Sequence, residues 1–126
     1  MKLATGVDII EIKHFAGTIE RQGERFKQRF YTPTELEQAE DKIASLAARF
    51  AAKEAISKAL GTGMGKIRPI DMEVVQDEKR APRIHLHGEA KQLAESLGLQ
   101  TWSISLSHSD EYAVAFVVAV GDRANT

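Results

Sequence analysis

Two apolar periodicities run along the chain and divide it into elements. Leu3 to Ile12 is dense in apolar residues around a single acid, Asp8, and reads as a strand although strands disfavour aspartate. Helical spacing follows over 14–29. At TPTE, Thr32 can cap a helix, Pro33 can take its first position and Glu35 can close a capping box. That helix is expected to run, with a kink near Asp41, into a long segment ending at Leu60, where GTGMG supplies the backbone freedom to stop it.

From Asp71 the period becomes two. DMEVVQDE and RIHLHG read as the strands of a hairpin around KRAP, with Pro82 near the edge of the pairing. GEAKQLAESLG is a short helix with Leu93 and Leu97 facing inward, closed by Gly98. TWSISLSHS then places Trp102, Ile104, Leu106 and His108 on one face and Thr101, Ser103, Ser105 and Ser107 on the other. The uncharged run Tyr112 to Val120 predicts a strand covered on both faces, with another subunit as one source of cover. The GDRANT tail is expected to fray. Strand, helices, hairpin, helix, hairpin is the order of an α+β fold, an antiparallel sheet packed with helices.

Composition narrows the picture. With 126 residues, 43% of them hydrophobic, the chain predicts one domain over 1–126 with a core of its own. It has no cysteine, which excludes a disulfide frame and a thiolate metal site. The absence of a signal-like apolar region, and of any run of about eighteen apolar residues, predicts a cytoplasmic protein that does not span a membrane. A net charge of -1 hides one basic segment, Lys13 to Phe30, with Lys13, Arg21, Arg25, Lys27 and Arg29 against Glu20 and Glu24. Such a helix suits a polyphosphate or an acidic protein surface, or is a solvated face. With 6% aromatic residues and no basic stripe elsewhere, nucleic acid is a poor match.

RFAAKEAISKALGTG, residues 49–63, carries the chemistry. At about 100° per residue, Leu46, Phe50, Lys53, Ser57 and Leu60 share one side of a helix, so Lys53 interrupts an apolar stripe. Glu54 and Lys58 emerge side by side at i,i+4 among small alanines, which leaves room for a ligand. A surface salt bridge of roughly 0.3–0.5 kcal/mol is the plain alternative. Asp8 changes the balance, because an acid in an apolar strand is costly without a positive neighbour. Paired with Glu54 it matches the way magnesium is held, by one or two protein oxygens with waters and phosphates completing the shell. A turn cap or a lysine partner for Asp8 stays open, as does a packed core role for His108. The chain has no G-x-S-x-G elbow, no H-E-x-x-H and no Walker lysine, which leaves metal-assisted phosphate chemistry.

GVDIIEI at 6–12, RFAAKEAISKALGTG at 49–63 and SISLSHSDEYAVA at 103–115, in this order, resemble holo-acyl carrier protein synthase, the small trimeric group of the 4′-phosphopantetheinyl transferases. The resemblance implies transfer of 4′-phosphopantetheine from coenzyme A to a serine of apo-acyl carrier protein, releasing adenosine 3′,5′-bisphosphate, a step of fatty acid biosynthesis. It implies Asp8 and Glu54 as magnesium ligands, Lys58 on the pyrophosphate, and Glu54 or a water it orients as the base for the carrier serine. Arg49, Lys53, Lys58, Gly61, Thr62, Gly63, Pro82 and His108 resemble positions lining the coenzyme A site. Lys13, His14, Arg21, Arg25 and Arg29 resemble the carrier-docking helix, with Phe26 filling an apolar pocket there. In that family the active sites lie between subunits of a homotrimer. His14 stands where the family commonly has arginine, and Arg80-Ala81 replaces the usual glycine-lysine before Pro82. A non-catalytic binding module and a metal-dependent nuclease are the rival readings. The nuclease fits less well, because its lysine usually lies two residues from the glutamate on a strand.

Overall fold

A computed structural model of the chain describes residues 1–63 and 65–122. Five strands and four α-helices follow in the order β1 (Lys2–Glu11), α1 (Ile12–Phe30), α2 (Pro33–Ala39), α3 (Ile43–Leu60), β2 (Met72–Gln76), β3 (Pro82–Leu86), α4 (Gly88–Ser96), β4 (Thr101–His108) and β5 (Tyr112–Gly121). Antiparallel β1, β5 and β4 form one sheet in that order, and β2 and β3 form a separate two-stranded sheet. This is the α+β arrangement the patterning predicts. Residues 123–126, most of the tail expected to fray, lie outside the described residues, as does Met64 of GTGMG.

Helix α3 lies against the inner face of the three-stranded sheet. Ala51, Ala52, Ala55, Ile56, Ala59 and Leu60 from the helix meet Ala115 and Val117 from β5 in one core cluster. Small side chains let the backbones approach closely: a Cβ at Gly6 of β1 would collide with the carbonyl oxygen of Ala55. A second cluster gathers Phe15, Phe26, Tyr31 and Leu46 under α1.

The helix starts are those the sequence marks. Thr32 Oγ1 accepts from the Glu35 amide at 3.2 Å, and Glu35 Oε1 accepts from the Thr32 amide at 2.9 Å, with Pro33 in the first turn. Gly61 ends α3 at φ 80 and Gly98 follows α4 at φ 74, both in the left-handed region that suits glycine. The expected kink near Asp41 is instead a full break: Glu40 and Asp41 both turn left-handed, at φ 53 and φ 58, and separate α2 from α3. Helix α1 also breaks, at Gly23, where φ is 58 and ψ is -139.

Of the cover expected on both faces of β5, this chain supplies one side. Ala113, Ala115, Val117 and Ala119 are fully buried under α3, while Tyr112 and Phe116 on the other face are each 45% exposed. In the register, Phe116 lies beside Val7, and Val114 beside Ile9. Val7, Ile9 and Leu3 on β1 are open as well, so the outer half of this sheet is an apolar surface.

Strand β2 pairs with β3 along one edge only, and side chains fill the other. Lys53 Nζ donates to Met72 O at 2.9 Å. The Val74 amide donates to Glu35 Oε2 at 2.9 Å, and Arg49 Nε donates to Val74 O at 3.3 Å. Gln38 closes the row, its Oε1 accepting from the Gln76 amide at 2.8 Å and its Nε2 donating to Gln76 O at 3.3 Å. Helices α2 and α3 thus supply side chains where a neighbouring strand would supply backbone.

Candidate active site

The close fit of Gly6 on Ala55 brings the inward side chain two residues later, Asp8, to the helix that carries Glu54 and Lys58. Asp8 stands inward because Ala4, Gly6, Asp8 and Ile10 alternate toward α3. Lys58 Nζ donates to Val7 O at 2.8 Å and reaches Asp8 Oδ1 at 3.4 Å. So the lysine of the i,i+4 motif turns to the strand rather than to Glu54.

The other Asp8 oxygen, Oδ2, is buried with no hydrogen-bond partner. The Asp8 side chain as a whole is 16% exposed. Buried carboxylate oxygens are ordinarily paired, and one left bare beside a second acid is electrostatically unfavourable. Glu54 registers that crowding: burial, and then the negative charge of Asp8, push its carboxyl above the usual carboxylate range, with Lys58 pulling the other way. Two acids crowd one region, and the lysine there contacts Asp8.

A cleft of about 410 Å³ opens between α3, the β2–β3 hairpin and β4. Arg49, Pro82 and His108, from three separate elements, line it together, joined by Gln76, Arg80 and Ser105. His108 is exposed rather than packed into the core. Arg80 sits in the hairpin turn at φ 66, a left-handed conformation that glycine would take at less cost. Here the turn carries a cation on the cleft instead. Gly61 and Gly63 are exposed at the end of α3.

Lys53 does not join them. It is 0% exposed, paired to Glu35 at 2.9 Å, and donates to Pro69 O at 2.8 Å as well as to Met72 O. All three N–H groups are engaged inside the core, so the expectation that it lines a coenzyme A site is corrected: this lysine ties α2, α3 and β2 together. Burial lowers its pKa, and Glu35 opposes that shift. Phe26, expected to fill a pocket on a partner, is also turned inward, stacked on Phe30 with ring centroids 4.4 Å apart and 6% exposed. Lys13, His14, Arg21, Arg25 and Arg29 are exposed along α1. Sequence reasoning missed the second role of Glu35 and the whole of Gln38. The first was marked only as a cap, and the second carries no local signal.

Asp8, Glu54 and Lys58 do not line the cleft, so the acid pair with its lysine and the wall of Arg49, Arg80 and His108 are two separate groups, each of a chemistry that suits phosphate. The chain belongs to the 4′-phosphopantetheinyl transferase superfamily, whose family model matches residues 4–117. It is 46% identical, over 94% of its length and 99% of the other's, to the holo-[acyl-carrier-protein] synthase of Herpetosiphon aurantiacus. The Koribacter versatilis protein of the same name is 44% identical, over 94% of this chain and 98% of that one. Among solved structures, the Helicobacter pylori holo-[acyl-carrier-protein] synthase in complex with coenzyme A superposes with a TM-score of 0.84 at 36% identity, covering 92% of this chain and 99% of that chain. The Bacillus anthracis synthase in complex with CoA (3′,5′-ADP) gives 0.77 at 34% identity, covering 94% and 96%. Membership of a transferase family removes the binding-module and nuclease readings.

Proposed function

We propose that this protein transfers 4′-phosphopantetheine from coenzyme A to a serine of an apo-acyl carrier protein. The observation that carries the reading is the bare, buried Asp8 Oδ2 beside Glu54, a pair of acids that needs a cation. Magnesium fits the donor set: both ligands are hard carboxylate oxygens from separate elements, and two protein ligands leave the remaining positions for water and phosphate. Among the described residues no group of three or more His, Cys, Asp or Glu could hold a metal ion. When bound there, magnesium would neutralise charge on the pyrophosphate.

Transfer forms a bond from the carrier serine oxygen to the pantetheine-side phosphorus and breaks the bond from that phosphorus to the bridging oxygen. The serine proton leaves as attack proceeds, and adenosine 3′,5′-bisphosphate departs with the bridging oxygen. Glu54, with its raised pKa, is the candidate base, acting directly or through a water it orients. Lys58 places a positive charge beside the leaving phosphate. Arg49, Arg80 and His108 line the cleft as the coenzyme A site, and the Gly61-Thr62-Gly63 turn lies at the other end of α3, just past Lys58. Arg21, Arg25 and Arg29, with Lys13 and His14, offer positive charge to an acidic carrier, a contact that speeds encounter and weakens with salt.

The open apolar face of Leu3, Val7, Ile9, Tyr112 and Phe116 supports a homotrimer, in which it is covered by neighbouring copies. The synthetic role is fatty acid biosynthesis in the cytoplasm. Among the described residues no helix is long and apolar enough to cross a membrane. Incubation with coenzyme A, magnesium and apo-acyl carrier protein, followed by intact mass spectrometry, should show the carrier gaining one phosphopantetheine. A carrier of unchanged mass overturns the reading.

A further inference from the structure

Gln38 lies on α2, outside every motif considered above, yet it touches two parts of the cleft wall at once. Its Oε1 accepts from Arg49 Nη2 at 3.3 Å and from the Gln76 amide at 2.8 Å, while Nε2 donates to Gln76 O. Only one orientation of the carboxamide satisfies this set, because both groups facing Oε1 are donors and the group facing Nε2 is an acceptor. Arg49 itself is held a second time, by Nε to Val74 O, and is 5% exposed. Arg49, Val74 and Gln76 all line the cleft. Burial lowers the pKa of Arg49, with Glu35 and Tyr31 acting against that shift. A neutral acceptor at Gln38 therefore orients the guanidinium without cancelling its charge.

We propose that Gln38 is a positioning residue for coenzyme A. It fixes the end of β2 and the Arg49 guanidinium in one geometry, so the cleft meets an anionic ligand already formed. The inference rests on the transferase reading above. Without Gln38 the Arg49 head keeps one anchor instead of two, and the Gln76 peptide loses both its partners on that edge. Binding of the nucleotide would then have to order these groups itself. Docking of the carrier along α1 uses other residues and should not sense the change.

The test is steady-state transfer by the full chain with coenzyme A and carrier varied in turn, alongside calorimetric titration of coenzyme A. Gln38→Leu should raise KM and Kd for coenzyme A about tenfold, the worth of a hydrogen bond to a charged group. The KM for carrier and kcat should stay near those of the parent. Gln38→Glu should weaken coenzyme A at least as much, because its negative charge neutralises Arg49 and faces Gln76 O. If Gln38→Leu fails to fold, Gln38→Glu decides. Unchanged coenzyme A constants in the folded variants overturn the proposal. So do a kcat and two KM values that deteriorate together with the melting temperature, since that pattern marks a purely structural role. Failure of the transferase reading is distinguishable, because the unmodified protein would then show no transfer at all.

Discussion

At the scale of single residues, the chemistry comes down to where Asp8 and Glu54 put their charge. Removing either charge relieves the repulsion that the fold maintains between them, so Asp8→Asn and Glu54→Gln should leave the protein folded, or slightly more stable, while transfer falls by orders of magnitude. Circular dichroism and the carrier mass assay together check both halves; either variant retaining full transfer would remove that acid from the site. The raised pKa of Glu54 has a definite sign. Its folded-state value lies above the unfolded one, so its protonated form is favoured by the fold, and its contribution to stability is present at low pH and lost as pH rises through the folded value. A divalent cation competes with the same proton. Magnesium affinity, read by titration calorimetry, should therefore increase with pH through a range above that of an ordinary glutamate. Much of this was legible in the sequence, since an acid in an apolar strand already calls for a counter-charge. The turn of Lys58 toward Val7 O was not, because no spacing rule reaches from residue 58 to residue 7.

At the scale of elements, the stretch that looked most like a ligand site contains a structural lysine. Lys53 and Glu35 form a fully buried pair, and breaking such a pair from one side strands a charge. Lys53→Met alone should cost about 3–5 kcal/mol in urea unfolding, and adding Glu35→Gln should recover part of it. If the single substitution costs under about 1 kcal/mol, the pair does not hold these elements together. The apolar stripe correctly said that position 53 faces inward. It could not say which acid lies opposite, because Glu35 reaches it across a break between helices that has neither glycine nor proline to announce it. Glu40 and Asp41 take the left-handed turn there, a conformation aspartate tolerates better than most residues but that neither residue marks as glycine would. The capping box and both glycine stops, by contrast, were readable because each depends on a few adjacent residues.

For the whole molecule, the order of strands and helices was set out by periodicity alone, but the exposure of the outer sheet face was not. An uninterrupted apolar run says that β5 avoids water on both sides without saying which cover belongs to the same chain. Leu3, at 65% exposed, with Val7, Ile9 and Phe116 further along the same face, leaves that face incomplete in a single copy. Sedimentation velocity should show an oligomer at micromolar concentration, and Phe116→Glu should shift it toward monomer with a matching loss of transfer. A fully active monomer would end the shared-site arrangement.

The side chains lodged along the outer border of β2 have a consequence for the life of the protein in a crowded cell. An extended segment from a misfolded neighbour finds Met72, Val74 and Gln76 already satisfied, so the hairpin cannot act as a template on that side. Seeding of fibres from this border would require Glu35, Gln38, Arg49 and Lys53 to let go together.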